Sequence, residues 1–267
     1  MPFSWISYNF MKNSFLTILL ITPIFGLLGT MIVNNKMAFF SDALGHCALT
    51  GVAIGTILGI QNSFVSLLVF GIIFAFMISS IVELNISSPD TIIGVFASTG
   101  LAVGLILLSI NKKFSTYTNL LLGDILCVTS TEIRILFIVF CLFITVWILF
   151  FNKFMISSLD PDLAISKNIN FKLYKNMFVI FIALIVTVTV RWIGVLMVNS
   201  LLTIPAAASK NISNNIKNFH KFSVIFSLFS GVAGLIISYY LGISTCATII
   251  IIAALIFFVT LIVKYYY

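Results

Sequence analysis

FFSDALGHCALTGVAIGTILG, residues Phe39–Gly59, is the stretch from which the fold is read. It is apolar and glycine-spaced, yet it carries an aspartate and a histidine inside a sequence greasy enough for a membrane. A helix turns about 100° per residue, so Asp42 and His46, at i and i+4, fall on one face about one turn apart. Ionisable groups at membrane depth are costly and usually face a cavity or a pathway. A carboxylate oxygen with an imidazole nitrogen is also a reasonable ligand pair for a first-row divalent metal. A blander reading suits the pair alone equally well: Asp42, with Ser41 beside it, caps the helix, and His46 merely packs. D-x-x-x-H by itself is a weak signal. Gly51, Gly55 and Gly59 recur every four residues, a spacing that lets another helix approach closely.

The 267 residues are 61% hydrophobic and only 8% charged, with a mean hydropathy of +1.22. A soluble domain carries about 25% charged residues. The composition therefore predicts an all-α, polytopic transmembrane bundle of about eight or nine spans, with residues 1–267 as one integral membrane domain and no separate soluble domain. The net charge of +7 could suit nucleic acid, but the cations sit in short loops between apolar runs, and no basic patch is interleaved with aromatics. A nucleic-acid partner is excluded on that ground. Cys47, Cys127, Cys141 and Cys246 form no C-x-x-C pair and are expected to be small buried hydrophobes. The first apolar run continues straight into a full span, so no cleavable signal is read.

The chain in order gives spans at about 14–33, the focal stretch, 64–84, 91–110 and 133–151. Ser88–Asp90 is a helix start with Pro89 just inside. Glu83 is expected in the solvated headgroup region. Residues 117–130, YTNLLLGDILCVTS, are too short and polar to span and read as a partly inserted connection. Asp160-Pro161-Asp162 opens a short N-capped helix in the longest polar segment. In 191–210, Gly194, Asn199, Ser200 and Pro205 make a poor continuous helix, so a broken or shortened helix within the protein is predicted. The loop 210–221 is basic, and His220 is expected to be exposed there. Two spans follow, about 222–241 and 245–263. With nine crossings and the N-terminus outside, the inner loops hold nine of the fourteen cations, including Lys153, Lys167, Lys172 and Lys175. That places the 160s loop in the cytoplasm.

Several chemistries are absent from the sequence. There is no G-x-x-x-x-G-K-[ST], so ATP is not bound that way, and no H-E-x-x-H or G-x-S-x-G.

The separated motifs, taken in order, resemble those of the membrane permease subunit of the zinc/manganese/iron ABC importer family. FSDALGHCALTGVAIG (40–55) is similar to its D-A-L-S-H-A-x-L-P-G-V-A-x-G block. SPDTIIGVFASTGLAVG (88–104), LLGDIL (121–126), DPDLAISKNIN (160–170), 193–209 and SGVAGLIISYYLGIS (230–244) match further blocks in the same order. The resemblance implies a homodimeric or pseudo-dimeric pore in the bacterial inner membrane, a separate pair of ATPase subunits that binds ATP, and a periplasmic or surface metal-binding protein. No cofactor is implied for this chain, only a transported divalent metal, zinc first and then manganese or iron. It implies Asp42 and His46 in the translocation pathway. It also implies a cytoplasmic coupling helix in which Asp160, Asp162, Ala164 and Asn168 meet the ATPase. Two ligands per chain meeting across a dimer axis suit a path, which must bind weakly enough to release. Departures from the family pattern are Gly45 for Ser, Thr50 for Pro, Asn168 for Gly and Cys246 for Gly. The alternatives are a secondary carrier or channel that needs no ATPase, and an intramembrane hydrolase pairing His46 with a distant serine.

Overall fold

The computed structural model describes residues 8–60, 62–84, 86–110, 123–159, 166–167 and 170–266. Among them are nine α-helices: α1 (Asn9–Asn34), α2 (Phe40–Ile57), α3 (Ser63–Val82), α4 (Pro89–Ile110), α5 (Ser130–Leu159), α6 (Phe171–Ile193), α7 (Val195–Ile212), α8 (Ile216–Leu241) and α9 (Thr245–Tyr266). Each predicted span coincides with a helix. Seven are long and apolar enough to cross a membrane. The two others are α2 and α7, each 18 residues, or about 27 Å at 1.5 Å per residue. They carry the polar residues singled out in the sequence.

The chain divides into two compact units. The first holds most of α1, the segment 124–149, most of α7, and α8 with α9. Small side chains set its helix spacing. Gly29 faces the Leu202 carbonyl, Gly26 lies 2.7 Å by its missing Cβ from the Val224 backbone, and Gly234 meets Ile249. Buried hydroxyls supply cross-links: Ser223 donates to the Gly26 carbonyl at 2.7 Å, and Ser14 to that of Ile125 at 3.1 Å. Gly242 ends α8 in the left-handed region at φ 64, as a C-terminal glycine does, and Ser238 and Thr245 bond across that turn at 3.0 Å. His220 corrects the sequence expectation. It sits in the first turns of α8 at 8% exposure, its ring against Trp147 and Phe219 and its Nδ1 2.9 Å from the Ile216 carbonyl.

The second unit holds α2, α3, α4, the end of α5, α6 and the first residues of α7. Its centre is α2, which packs on α3, α4 and α6. Gly51 meets Phe70 and Gly55 meets Ser66, so these glycines admit α3. Gly59 does not belong to that seam: it lies past the helix end at φ 72 with open space around it, because the chain turns there. From the other side α4 offers Gly100 to Cys47 and Gly104 to Thr50. α4 starts as its sequence predicts, with Pro89 first and the Thr91 amide donating to Ser88 Oγ at 3.3 Å. α3 and α6 run against each other through Gly71 and Thr187, Ser79 and Asn176, and Glu83 and Lys175. Glu83 is thus not simply solvated: its carboxylate is one quarter exposed and pairs with Lys175 at 3.7 Å. Of the cysteines only Cys47 and Cys246 are buried; Cys127 and Cys141 are exposed.

A methyl group separates a filled seam from an open one. Gly29→Ala should cost about 1–3 kcal/mol of stability, because the new Cβ overlaps backbone that cannot yield. Gly94→Ala has nothing within 4 Å and should be neutral or gain up to about 1 kcal/mol from helix propensity. Thermal unfolding midpoints of the two variants in one detergent test this; equal midpoints would contradict the packing described.

Candidate metal path

The site is built at the start of α2. The residue before this helix, Phe39, caps it without any side-chain hydrogen bond. Asp42 therefore does not serve as the cap that the blander reading required. One turn on, His46 Nε2 lies 3.4 Å from Asp42 Oδ1, and the two side chains are 29% and 30% exposed. The i, i+4 geometry expected from sequence is present.

What holds the carboxylate comes from α7. Asn199 Nδ2 donates to Asp42 Oδ1 at 3.3 Å, and Ser41 Oγ donates to Asn199 Oδ1 at 2.8 Å. Asn199 is thereby fixed at both ends of its amide, and Asp42 is oriented by a neutral donor. Asn199 reaches this place because the helix breaks. α6 stops at Ile193, Gly194 adopts φ 78, and α7 restarts at Val195. A residue with a side chain is strained at that φ. Gly123, itself at φ 60, lies against the Ile193–Gly194 backbone so closely that no Cβ would fit. The G of the LLGDIL motif thus seats the break. Behind it Asp124 caps a short 3₁₀ turn, Ile125–Cys127, accepting from the Leu126 amide at 2.9 Å. That turn agrees with the short connection predicted over 117–130, of which residues 117–122 lie outside the described residues. Gly45 has room for Val195 only because it lacks a side chain.

Below the pair, Thr50 donates its hydroxyl to the Gly100 carbonyl, fastening α2 to α4. This is one of the departures from the family pattern, and the structure gives it a partner.

The spacing of the pair is compatible with a shared cation. At metal–ligand distances of about 2.0–2.1 Å, two donors on one edge of a tetrahedron stand about 3.3 Å apart. The observed 3.4 Å between Asp42 Oδ1 and His46 Nε2 matches that edge. His46 Nδ1 is buried and makes no hydrogen bond among the described residues. Among the described residues no group of three or more His, Cys, Asp or Glu could enclose an ion. Among the described residues the pair thus offers two candidate ligands, not a cage. Asn199, with Ser41 as its donor, joins the candidate site in the structure although the sequence reading did not place it there. The signal was a lone Asn inside the apolar run VLMVNSLL, which was read only as a helix disturbance. Asp160, Asp162, Ala164 and Asn168, the expected coupling residues, lie outside the described residues.

Residues 7–264 match the family described as the ABC 3 transport family. The chain belongs to that family. Its relatives include the manganese transport system membrane protein MntC of Listeria monocytogenes, 27% identical over 94% of this chain and 90% of that protein. The high-affinity zinc uptake system membrane protein ZnuB of Haemophilus influenzae is 28% identical over 95% of this chain and 97% of its own length. Among solved structures, PsaBC from Streptococcus pneumoniae in complex with Fab superposes with a TM-score of 0.83 at 28% identity, covering 97% of this chain and 95% of that one. The ABC 3 chain is a multi-pass membrane transport protein and not an enzyme, in keeping with the all-helical bundle and its seven span-length helices.

The Thr50 bond is testable apart from transport. Thr50→Val removes the hydroxyl and keeps the shape, leaving the Gly100 carbonyl without this donor. It should cost about 0.5–1.5 kcal/mol. The readout is the thermal midpoint of purified protein; an unchanged midpoint would show that the bond is not formed.

Proposed function

We propose that this chain is the transmembrane subunit of an ABC importer that carries a divalent metal cation across the bacterial inner membrane, with zinc first and then manganese or iron as cargo. Its 267 residues act as one integral permease domain. It works as a pair with a second copy of itself, with a separate pair of ATPase subunits below and a metal-binding protein above. Support for the cargo class comes from relatives named for zinc and for manganese, which is why one metal is not singled out on names alone. The observation that carries the reading is the Asp42–His46 pair, spaced as one edge of a metal polyhedron and oriented by Asn199.

The chemistry follows from that geometry. Asp42 would supply a carboxylate oxygen and His46 an imidazole nitrogen, a mixed set that suits borderline metals. Asn199 orients the carboxylate through a neutral amide, which Ser41 holds in turn. Two ligands per chain bind weakly enough for release, and a twofold axis would bring a second pair to face the first. ATP binding and hydrolysis on the partner subunits bias two packings of these helices, through the segment containing Asp160, Asp162, Ala164 and Asn168. The glycine break at Gly194 is where α6 and α7 can change their angle, since no Cβ restrains that residue.

Cellular accumulation of zinc, manganese and iron tests the proposal, with the chain expressed beside its candidate ATPase and binding protein. Asp42→Ala and His46→Ala should abolish uptake of one metal at equal membrane protein levels. Asn199→Ala should reduce it about ten- to hundredfold, the usual cost of losing a partner that orients a ligand. Full uptake in both ligand variants would remove the pair from the path. Uptake that persists without the ATPase would mark a secondary carrier or channel instead.

A further inference from the structure

Where the ends of α3, α5 and α6 meet, the second unit contains a half-open cavity of about 210 Å³. Val82, Phe154 and Phe178 give it apolar walls, while Ser157, Tyr174 and Lys175 give it polar ones. The metal path uses none of these residues.

Ser157 is the unexplained group. It is 7% exposed, and its hydroxyl is buried with no hydrogen-bond partner among the described residues. A serine or threonine in a helix normally satisfies itself on the preceding turn, as Thr145 of the same helix does on the Cys141 carbonyl at 2.8 Å. Ser157 does not, and a buried unpaired hydroxyl is costly unless something else bonds it. The cations nearby are loosely held. Lys175 Nζ stands 3.7 Å from Glu83 Oε1, a contact longer than a charge-assisted hydrogen bond, and 5.7 Å from the Phe171 ring. Lys153 Nζ rests over the Tyr174 ring at 5.1 Å. Among the described residues, Glu83 offsets one of these two ammonium charges.

We propose that this cavity binds an anionic phospholipid. Its phosphate oxygens accept from Ser157 Oγ and from the Lys175 ammonium, Lys153 stands at the rim, and the first methylenes of one acyl chain lie on Phe154, Phe178 and Val82. The volume exceeds that of an apolar cavity of about 150 Å³ that admits benzene. It holds a head and the start of a chain, and the remainder of the lipid stays in the bilayer. The loop cations place these helix ends at the cytoplasmic leaflet, where anionic lipids attract juxtamembrane lysines.

Native mass spectrometry of the intact chain in neutral detergent tests the site, using phosphatidylglycerol, phosphatidylcholine and inorganic phosphate as separate probes. One phosphatidylglycerol should be retained in preference to phosphatidylcholine. Lys153→Gln and Lys175→Gln should each weaken retention about fivefold. Ser157→Ala should weaken it, and Ser157→Thr should restore it. Lys153 is exposed on its helix, so its substitution leaves the fold intact and keeps the test valid if the Ser157 or Lys175 variants are unstable. Equal retention of the two lipids would overturn the proposal, as would retention unaffected by Lys153→Gln. Inorganic phosphate bound as tightly as phosphatidylglycerol would identify a site for a free anion, not a lipid.

Discussion

The Asp42 carboxylate lies in a membrane-grade helix against an amide and an imidazole, and the helices of the second unit pack around the helix that carries it. Among the described residues, no lysine or arginine pairs with Asp42. Its partners are an amide and an imidazole. A guanidinium in the same place would stabilise the carboxylate more strongly, but would also occupy the charge that a cation needs. A fully buried pair would suffer the desolvation penalty in full. At about 30% exposure Asp42 and His46 avoid much of it. The amide of Asn199 contributes direction, and Ser41 fixes the amide.

That arrangement depends on backbone closeness at several glycines. Gly45 admits Val195, so the start of α7 can lie on α2. Gly194 lets the chain leave α6 and begin α7 at a new angle, and Gly123 seats that break. Gly51 and Gly55 admit α3, while Gly100 and Gly104 admit α2 onto α4. In a bilayer the hydrophobic effect does not drive helices together, so close packing and buried hydroxyl bonds carry the association. Thr50 to Gly100, and Ser223 to Gly26 in the other unit, are bonds of that kind.

Much of this was legible in the sequence, and the divisions have physical reasons. Long apolar runs predict helices wherever they occur, so each predicted span coincides with a helix, and the broken helix expected within 191–210 has its break at Gly194. Asp42 and His46 meet through local helix geometry, which i, i+4 spacing encodes. Asn199 meets Asp42 across 157 residues of chain, and no local pattern encodes that contact. The same limit explains His220 and Glu83: both sit near polar loops, yet tertiary neighbours bury the one and pair the other. Gly59 shows the opposite error, where a repeat of four ran one member past the end of the helix it described.

The most direct measurement of the central claim is X-ray absorption at the metal edge, on purified protein loaded with zinc or manganese. The expected spectrum has a nitrogen/oxygen first shell with imidazole outer-shell scattering, and that scattering disappears in His46→Ala. A sulfur first shell, or imidazole scattering unchanged in His46→Ala, would contradict the assignment of Asp42 and His46 as the ligands.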